Sequence, residues 1–182
     1  MVTTRPMTAE DLLRLPDDGS RYELIAGQPR RMPKGGLEHG WIGSRFVRHL
    51  GAFVGRHRLG IVDGPDTLFR FTRDPDYGLI PDAAFLRADR LPPRDQWRAV
   101  AEVSPDLVVE VVSPHDPSAD VAENVAYYLA HGVVLAWAAY PAPRQVVVHR
   151  ADRAPQRLSL ADTSDGEEVL PGFRLPLAEI LD

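Results

Sequence analysis

The longest regular hydrophobic pattern in the chain lies between residues 38 and 57. There Ile42, Phe46, Leu50, Phe53 and Val54 recur at helical spacing and form one apolar stripe. Arg45, Arg48 and Arg56 fall mostly off that stripe, and Gly51 and Gly55 permit close packing at a small cost in helix propensity. Elsewhere the apolar runs shorten to strand length. They predict strands at 61–63, 67–71, 82–87, 107–112, 133–139 and 145–150, with a weaker one at 157–160. Residues 21–25 and 29–32 read as a hairpin around Ala26-Gly27-Gln28. Thr8-Ala9-Glu10-Asp11 has the form of a capped helix start, ended by the turn residues Pro16-Asp17-Asp18-Gly19. The segment 91–105, with Pro92, Pro93 and Pro105, predicts a surface loop.

Between the strand ending at Val112 and the one starting at Val133 lies a second amphipathic helix. Asp116 is a suitable N-cap, Pro117 suits the first helical position, and Gly132 suits the far end. Strand, helix, strand in that order is a crossover and implies parallel pairing, whereas the early hairpin is antiparallel. The expectation is an α/β fold: a mixed sheet flanked by helices, one domain over residues 1–182 with its core at about 7–181. Leu170-Pro171-Gly172-Phe173 and the segment 176–181 read as a tail docked on that core.

Composition narrows the class. With 44% hydrophobic and 26% charged residues the chain reads as an ordinary soluble globular protein. No stretch reaches the length of a membrane span, and Met1 to Pro6 lack the apolar core of a secretory leader, so a cytoplasmic protein is expected. The absence of cysteine excludes disulfides, thiolate metal sites and cysteine nucleophiles. The formal net charge of −5 argues mildly against a general nucleic-acid binder. Its distribution qualifies that. Residues 28–60 hold Arg30, Arg31, Lys34, Arg45, Arg48, Arg56 and Arg58 against the single acid Glu38, a local +6 that leaves −11 for the rest. That segment is either a solvated helix face or a surface for phosphates.

Three acids interrupt strand-like runs. Glu110 lies inside Leu107-Val108-Val109-Glu110-Val111-Val112, Asp82 follows Pro81 at the start of another run, and Glu23 lies in Tyr22-Glu23-Leu24-Ile25. An acid so placed must be paired, protonated or bound to a cation. Asp82 and Glu110 on neighbouring strands would suit a hard, oxygen-liking metal such as Mg²⁺. Alternation puts Asp106, Val108, Glu110 and Val112 on one face and Leu107, Val109 and Val111 on the other, so the strand is central and buried. In the second helix, Val121, Val125, Tyr128 and Leu129 form the apolar stripe. At about 100° per residue Asn124 falls roughly 60° from Val121, at the edge of that stripe and within reach of the sheet. His39 opens the long helix as a capping, packing or catalytic residue, while the other histidines show no paired ligand spacing, so a zinc site is not expected. There is no phosphate-binding glycine loop, no dinucleotide fingerprint and no nucleophile elbow around any serine, Ser44 included.

Taken in order, Met7-Thr8-Ala9-Glu10-Asp11, Arg21-Tyr22-Glu23-Leu24-Ile25, Glu38-His39-Gly40, Pro81-Asp82-Ala83-Ala84-Phe85, Pro105 through Pro114, Tyr128-Leu129-Ala130-His131-Gly132-Val133 and Leu170-Pro171-Gly172-Phe173 resemble the Uma-type putative restriction endonuclease family. That family, formerly a domain of unknown function, belongs to the PD-(D/E)xK nuclease superfamily. The resemblance implies a restriction-endonuclease-like core and Mg²⁺-dependent hydrolysis of DNA, with Mn²⁺ as a substitute. It makes Asp82 and Glu110 the metal-binding acids, with the Val111 carbonyl as an extra ligand, Glu23 an additional acid and His39 a fifth member of the site. Related nucleases carry a lysine two residues after the second acid, where this chain has Val112. Members of the family tend to supply it from the following helix instead, a turn before the aromatic matched by Tyr128, and that position is Asn124. Losing one electrostatic stabiliser commonly costs on the order of 10² to 10³ in rate, so a slow or degenerate enzyme is expected. Lys34, the only lysine, lies in the loop before the long helix. DNA would approach through residues 28–60, and a homodimer would serve the cutting of two strands. The alternatives are an inactive member that binds nucleic acid or protein through the same cleft, and a hydrolase of another phosphodiester or a small metabolite.

Overall fold

The computed structural model describes residues 5–16, 18–98, 100–113 and 118–182. The expected Asp116 cap and Pro117 lie outside the described residues, as does Asp17 in the first turn. Helix α1 (Ala9–Leu13) has its capping box: Thr8 Oγ1 accepts from the Asp11 N–H at 3.2 Å, and the Asp11 carboxylate accepts from the Thr8 N–H at 3.1 Å. Strands β1 (Tyr22–Ile25) and β2 (Gln28–Arg31) form the expected hairpin, with Glu23 opposite Arg30. Its turn residues Ala26 and Gly27 have φ of 49° and 74°, the two positive values a type I′ turn requires. A Cβ on Gly27 would also meet Pro6 Cβ at 2.5 Å.

The chain continues through α2 (Leu37–His57), β3 (Gly60–Asp63), β4 (Phe69–Thr72), β5 (Tyr77–Leu79), β6 (Ala83–Arg87), β7 (Leu107–Val111), α3 (Ser118–Ala130), β8 (Leu135–Tyr140), β9 (Gln145–Arg150), β10 (Arg153–Ser159), β11 (Thr163–Gly166), β12 (Leu170–Pro176) and α4 (Ala178–Leu181). The main sheet has the order β10-β9-β8-β7-β6-β3, and β7–β8, the pair joined by α3, is its parallel one. A smaller antiparallel sheet runs β2-β1-β5-β4, and β11–β12 is a separate hairpin. The mixed α/β fold expected from the crossover and the hairpin is therefore present.

The alternation along β7 divides the core. Leu107, Val109 and Val111 pack with Ile42, Phe46, Leu50 and Val54 of α2, with Trp137, and with Leu175, Leu177 and Ile180 from the C-terminal segment. Val108 faces the other way, with Ala136 and Ala138, against Val121, Val125 and Tyr128 of α3 and Tyr77 and Leu79 of β5. Both faces are covered, as a strand with apolar residues at every other position on both sides requires. No helix among the described residues is long and apolar enough to cross a membrane.

Four strands differ from the sequence expectation: β5, β10, β11 and β12, the last of which reads in the sequence as part of a docked tail, and each is set by the strands it pairs with. Tyr77-Gly78-Leu79 is too short to stand out, and it is a strand because β1 and β4 flank it. Thr163-Ser164-Asp165-Gly166 has turn-like composition, and pairing with β12 makes it β11. β10 begins at Arg153, four residues before the expected run; Pro155 is tolerated there at the outer edge of the main sheet, where the register with β9 shifts between Arg153 and Gln156.

A buried cation ties the small sheet to the N-terminal helix. The Arg70 side chain is only 2% exposed, with Asp76 at 3.0 Å, Glu102 at 2.8 Å and a short contact to Glu10. Asp76 Oδ2 also accepts from the Ala9 N–H at 2.8 Å, and the Asp76 carbonyl accepts from Gly27 N–H at 2.8 Å, anchoring the β1–β2 turn. Removing the cation leaves Asp76 buried without its countercharge, so Arg70→Met is expected to destabilise the protein by about 3 kcal/mol in urea unfolding. The Glu10 carboxyl is lowered to about 2, chiefly by its hydrogen bond from Arg70. A depressed carboxylate stabilises the fold above its ordinary pKa and loses that contribution as pH falls from about 4.5 toward 2. Over that window Glu10→Gln should lose stability less steeply than wild type, as read from unfolding midpoints measured at each pH.

Candidate active site

Antiparallel pairing between β6 and β7 runs from Phe85–Leu107 to Ala83–Val109 and stops there. Beyond that point the Asp82 side chain takes over the role of a strand: its Oδ2 accepts from the Val111 N–H at 2.7 Å. The two strands therefore part at this end with Asp82 on one lip and Glu110 on the other. Asp82 is buried, its Cβ is within 3.9 Å of where a Cβ on Gly43 of α2 would stand, and the His39 ring nitrogen Nε2 lies 3.3 Å from Oδ2. Glu110 points to the α3 side, where the Tyr128 hydroxyl donates to Oε1 at 2.6 Å. The Tyr128 phenol is held well above its ordinary pKa, by burial first and by the Glu110 carboxylate next, so it remains a donor.

Glu23 approaches from the small sheet. It is 3% exposed and accepts from the Ile80 N–H at 3.2 Å, two residues before Asp82. Arg30, its cross-strand partner, donates to Oε2 from NH2 at 2.7 Å and from Nε at 3.2 Å. The same NH2 donates to Asn124 Oδ1 at 2.6 Å. Burial pushes the Glu23 carboxyl above its ordinary pKa, against the opposing pull of Arg30, the Ile80 N–H and Asn124. Burial also works against the Arg30 charge, and the Glu23 carboxylate outweighs it, so the guanidinium stays protonated.

Glu23, His39, Asp82, Glu110 and Asn124 line one cavity of about 110 Å³, shared with Arg21, Arg30, Arg31 and Asp120. The five residues singled out in the sequence thus converge from β1, α2, the β6 entrance, β7 and α3. Asp106, on the Glu110 face of β7, lies at the strand's other end, accepting from the Arg87 N–H at 2.9 Å and from Arg90 at 2.7 Å. Two residues whose roles the sequence left unassigned are Arg30 and Tyr128. Each had a signal: hairpin pairing across Ala26-Gly27 sets residue 30 opposite 23, and Tyr128 follows Asn124 by four on one helix face.

The basic residues in and beside the segment 28–60 stand in different places. Arg21, Arg31 and Lys34 line a groove of about 530 Å³ that shares residues with the cavity. On its other side, Gly40, Ser44 and Arg48 line a groove of about 450 Å³ that reaches Asp82. Arg45, by contrast, donates to the Asp182 carbonyl at 2.9 Å and stacks over Trp41. Arg56 lies 17 residues beyond His39, about 25 Å away along the helix.

Among the described residues no three His, Asp or Glu side chains converge into a ready-made cation cage. The donor set nevertheless suits a hard divalent ion. Mg²⁺ is normally held by one or two carboxylates, with water and substrate phosphate in the other positions, and Asp82 and Glu110 supply such a pair.

A family model, Uma2, described as "Putative restriction endonuclease", matches residues 9–178. Among solved structures the fold is similar to that of a protein from Anabaena variabilis, described as a putative nuclease belonging to DUF820. The TM-score is 0.84 at 20% identity, covering 97% of this chain and 98% of that one. At that identity the likeness concerns the fold. No curated protein matches the chain. The match over nearly the whole length places the chain in the Uma2 family of putative restriction endonucleases.

Proposed function

We propose that the protein is a divalent-metal-dependent endonuclease that hydrolyses phosphodiester bonds in DNA. One observation carries the reading: in a member of this family, Asp82 and Glu110 stand on the parting ends of β6 and β7 and line one cavity with a basic mouth. These two carboxylates would hold Mg²⁺, or Mn²⁺ in its place. When bound, such an ion polarises a phosphate oxygen and lowers the pKa of an attacking water.

The chain's own groups do the rest. The Val111 N–H and the His39 ring orient the Asp82 carboxylate, and the Tyr128 hydroxyl orients Glu110. Glu23 is tied to Arg30 and the Ile80 N–H, and so acts as a fixed wall of the site. Arg21, Arg31, Lys34 and Arg48 along the adjoining grooves offset backbone phosphates without reading bases, which makes association salt-dependent. A second reading, a silent member that binds nucleic acid through the same cleft, draws on the neutral Asn124 where the family resemblance expects a lysine.

Single- and double-stranded DNA incubated with the purified protein and Mg²⁺ or Mn²⁺ should be cleaved, and chelation should stop it. Asp82→Asn keeps an oxygen for the Val111 N–H and should lower cleavage by about 10²-fold or more, as should Glu110→Gln. Equal cleavage by wild type and Asp82→Asn would remove the metal-site assignment; metal-independent DNA binding with no cleavage in either ion would favour the silent member. Tyr128→Phe leaves the core filled but removes the hydroxyl that donates to Glu110, and should lower activity or metal affinity by about 10- to 100-fold, measured by kinetics and calorimetry.

A further inference from the structure

The place where a lysine is absent has a guanidinium against it. Arg30 reaches from β2 across the hairpin, and one terminal nitrogen bridges Glu23 Oε2 at 2.7 Å and Asn124 Oδ1 at 2.6 Å. Two features separate this from an ordinary buried pair. First, the Arg30 side chain is 26% exposed whereas that of Glu23 is 4% exposed, and Arg30 lines the cavity that holds Asp82 and Glu110. Second, its other terminal nitrogen, NH1, makes no hydrogen bond among the described residues, the half-exposed Asp120 carboxylate standing at 4.0 Å. Arginine carries five N–H donors in a rigid fork. Here Nε and NH2 are used to fix the plane of a residue that lines the cavity, and the donors of NH1 are left for a ligand.

Charge points the same way. Glu23, Asp82, Glu110 and Asp120 all line this cavity, so an anionic phosphodiester entering it needs a fixed positive group on the wall. Arg30 is the cavity cation clamped on two elements at once, β1 and α3. Asn124 is then chemically apt. Its carbonyl oxygen accepts from the guanidinium, whereas a lysine at 124 would set an ammonium against it, like charge against like.

We propose that Arg30 is the phosphate-contacting cation of this site, oriented by Glu23 and Asn124, and that residues 30 and 124 form an interlocked pair in which Asn124 positions Arg30. The proposal rests on the nuclease reading above. In the hydrolysis, water oxygen forms the new bond to phosphorus and gives up a proton to solvent, the P–O ester bond breaks, and the departing oxygen takes up a proton from solvent. Arg30 keeps all its protons throughout. It acts by donating from NH1 to a non-bridging phosphate oxygen as charge builds there.

The test compares wild type with Arg30→Gln, Arg30→Lys, Asn124→Lys and the double variant Arg30→Gln/Asn124→Lys, with Asp82→Asn as control. Thermal melts identify any variant that does not fold, and Arg30→Lys serves should Arg30→Gln fail, since lysine still neutralises Glu23 without bridging to Asn124. Fluorescent oligonucleotides are assayed for cleavage with Mg²⁺ or Mn²⁺, and for binding by anisotropy in EDTA across salt concentrations. Arg30→Gln should lower kcat about 10²- to 10³-fold. In the metal-free binding assay it should reduce the slope of log Kd against log salt by about one, the signature of one lost phosphate contact. Asn124→Lys should lower kcat instead of raising it, the double variant should exceed both single variants, and in a further variant, Arg30→Ala, added guanidinium should partly restore activity. Unchanged kcat and unchanged salt slope in a folded Arg30→Gln, or a faster Asn124→Lys, would overturn the proposal. Failure of the nuclease reading looks different: wild type and Asp82→Asn are then equally inert, while the salt slope still reports on Arg30.

Discussion

A carboxylate buried inside the first hairpin organises this molecule. Glu23 is almost fully removed from water, and an isolated charge there would cost several kcal/mol. Three partners answer that cost from three parts of the fold: Arg30 across the hairpin, the Ile80 N–H at the approach to β6, and Asn124 on α3 by way of the guanidinium. Satisfying one acid therefore locks the small sheet, the entrance to the Asp82 strand and the crossover helix into one arrangement. The cavity is lined by those three elements together with α2 and β7.

Within that frame the two proposed metal ligands are held by different means. Asp82 is fixed because its carboxylate replaces a ladder bond at the point where β6 and β7 part. Glu110 is fixed by a phenol that burial keeps protonated. Both devices hold carboxylate oxygens in place before any ligand arrives, which is what preorganisation requires of a site that must bind charge. The Arg70 cluster belongs to the same logic at one remove, since Asp76 joins Arg70, the start of α1 and the turn of the hairpin that carries Glu23 and Arg30.

The grooves beside the cavity draw on only part of the basic segment. Arg31, Lys34 and Arg48 border them, Arg45 is occupied by the chain's C-terminal carbonyls, and Arg56 is far along α2. A count of charge along the sequence had no means of telling these apart. Where an arginine points depends on which partner reaches it first, and for Arg45 that partner is 137 residues away.

Periodicity was enough for α2 and the buried two-faced β7, turn residues for the β1–β2 hairpin, and the order strand, helix, strand for the β7-α3-β8 crossover, because local pattern and short connections dictate each. The acids were legible too, since Glu23, Asp82 and Glu110 interrupt runs in which a charge needs a reason. Asn124 at the edge of the α3 stripe followed from helical geometry. Short β5 and polar β11 were illegible because only their long-range partners make them strands. The same holds for the chemistry at position 124. The sequence determined that no lysine stands there; the tertiary structure decided that a guanidinium from β2 fills the adjoining space, because residues 94 apart meet only when the hairpin folds against α3.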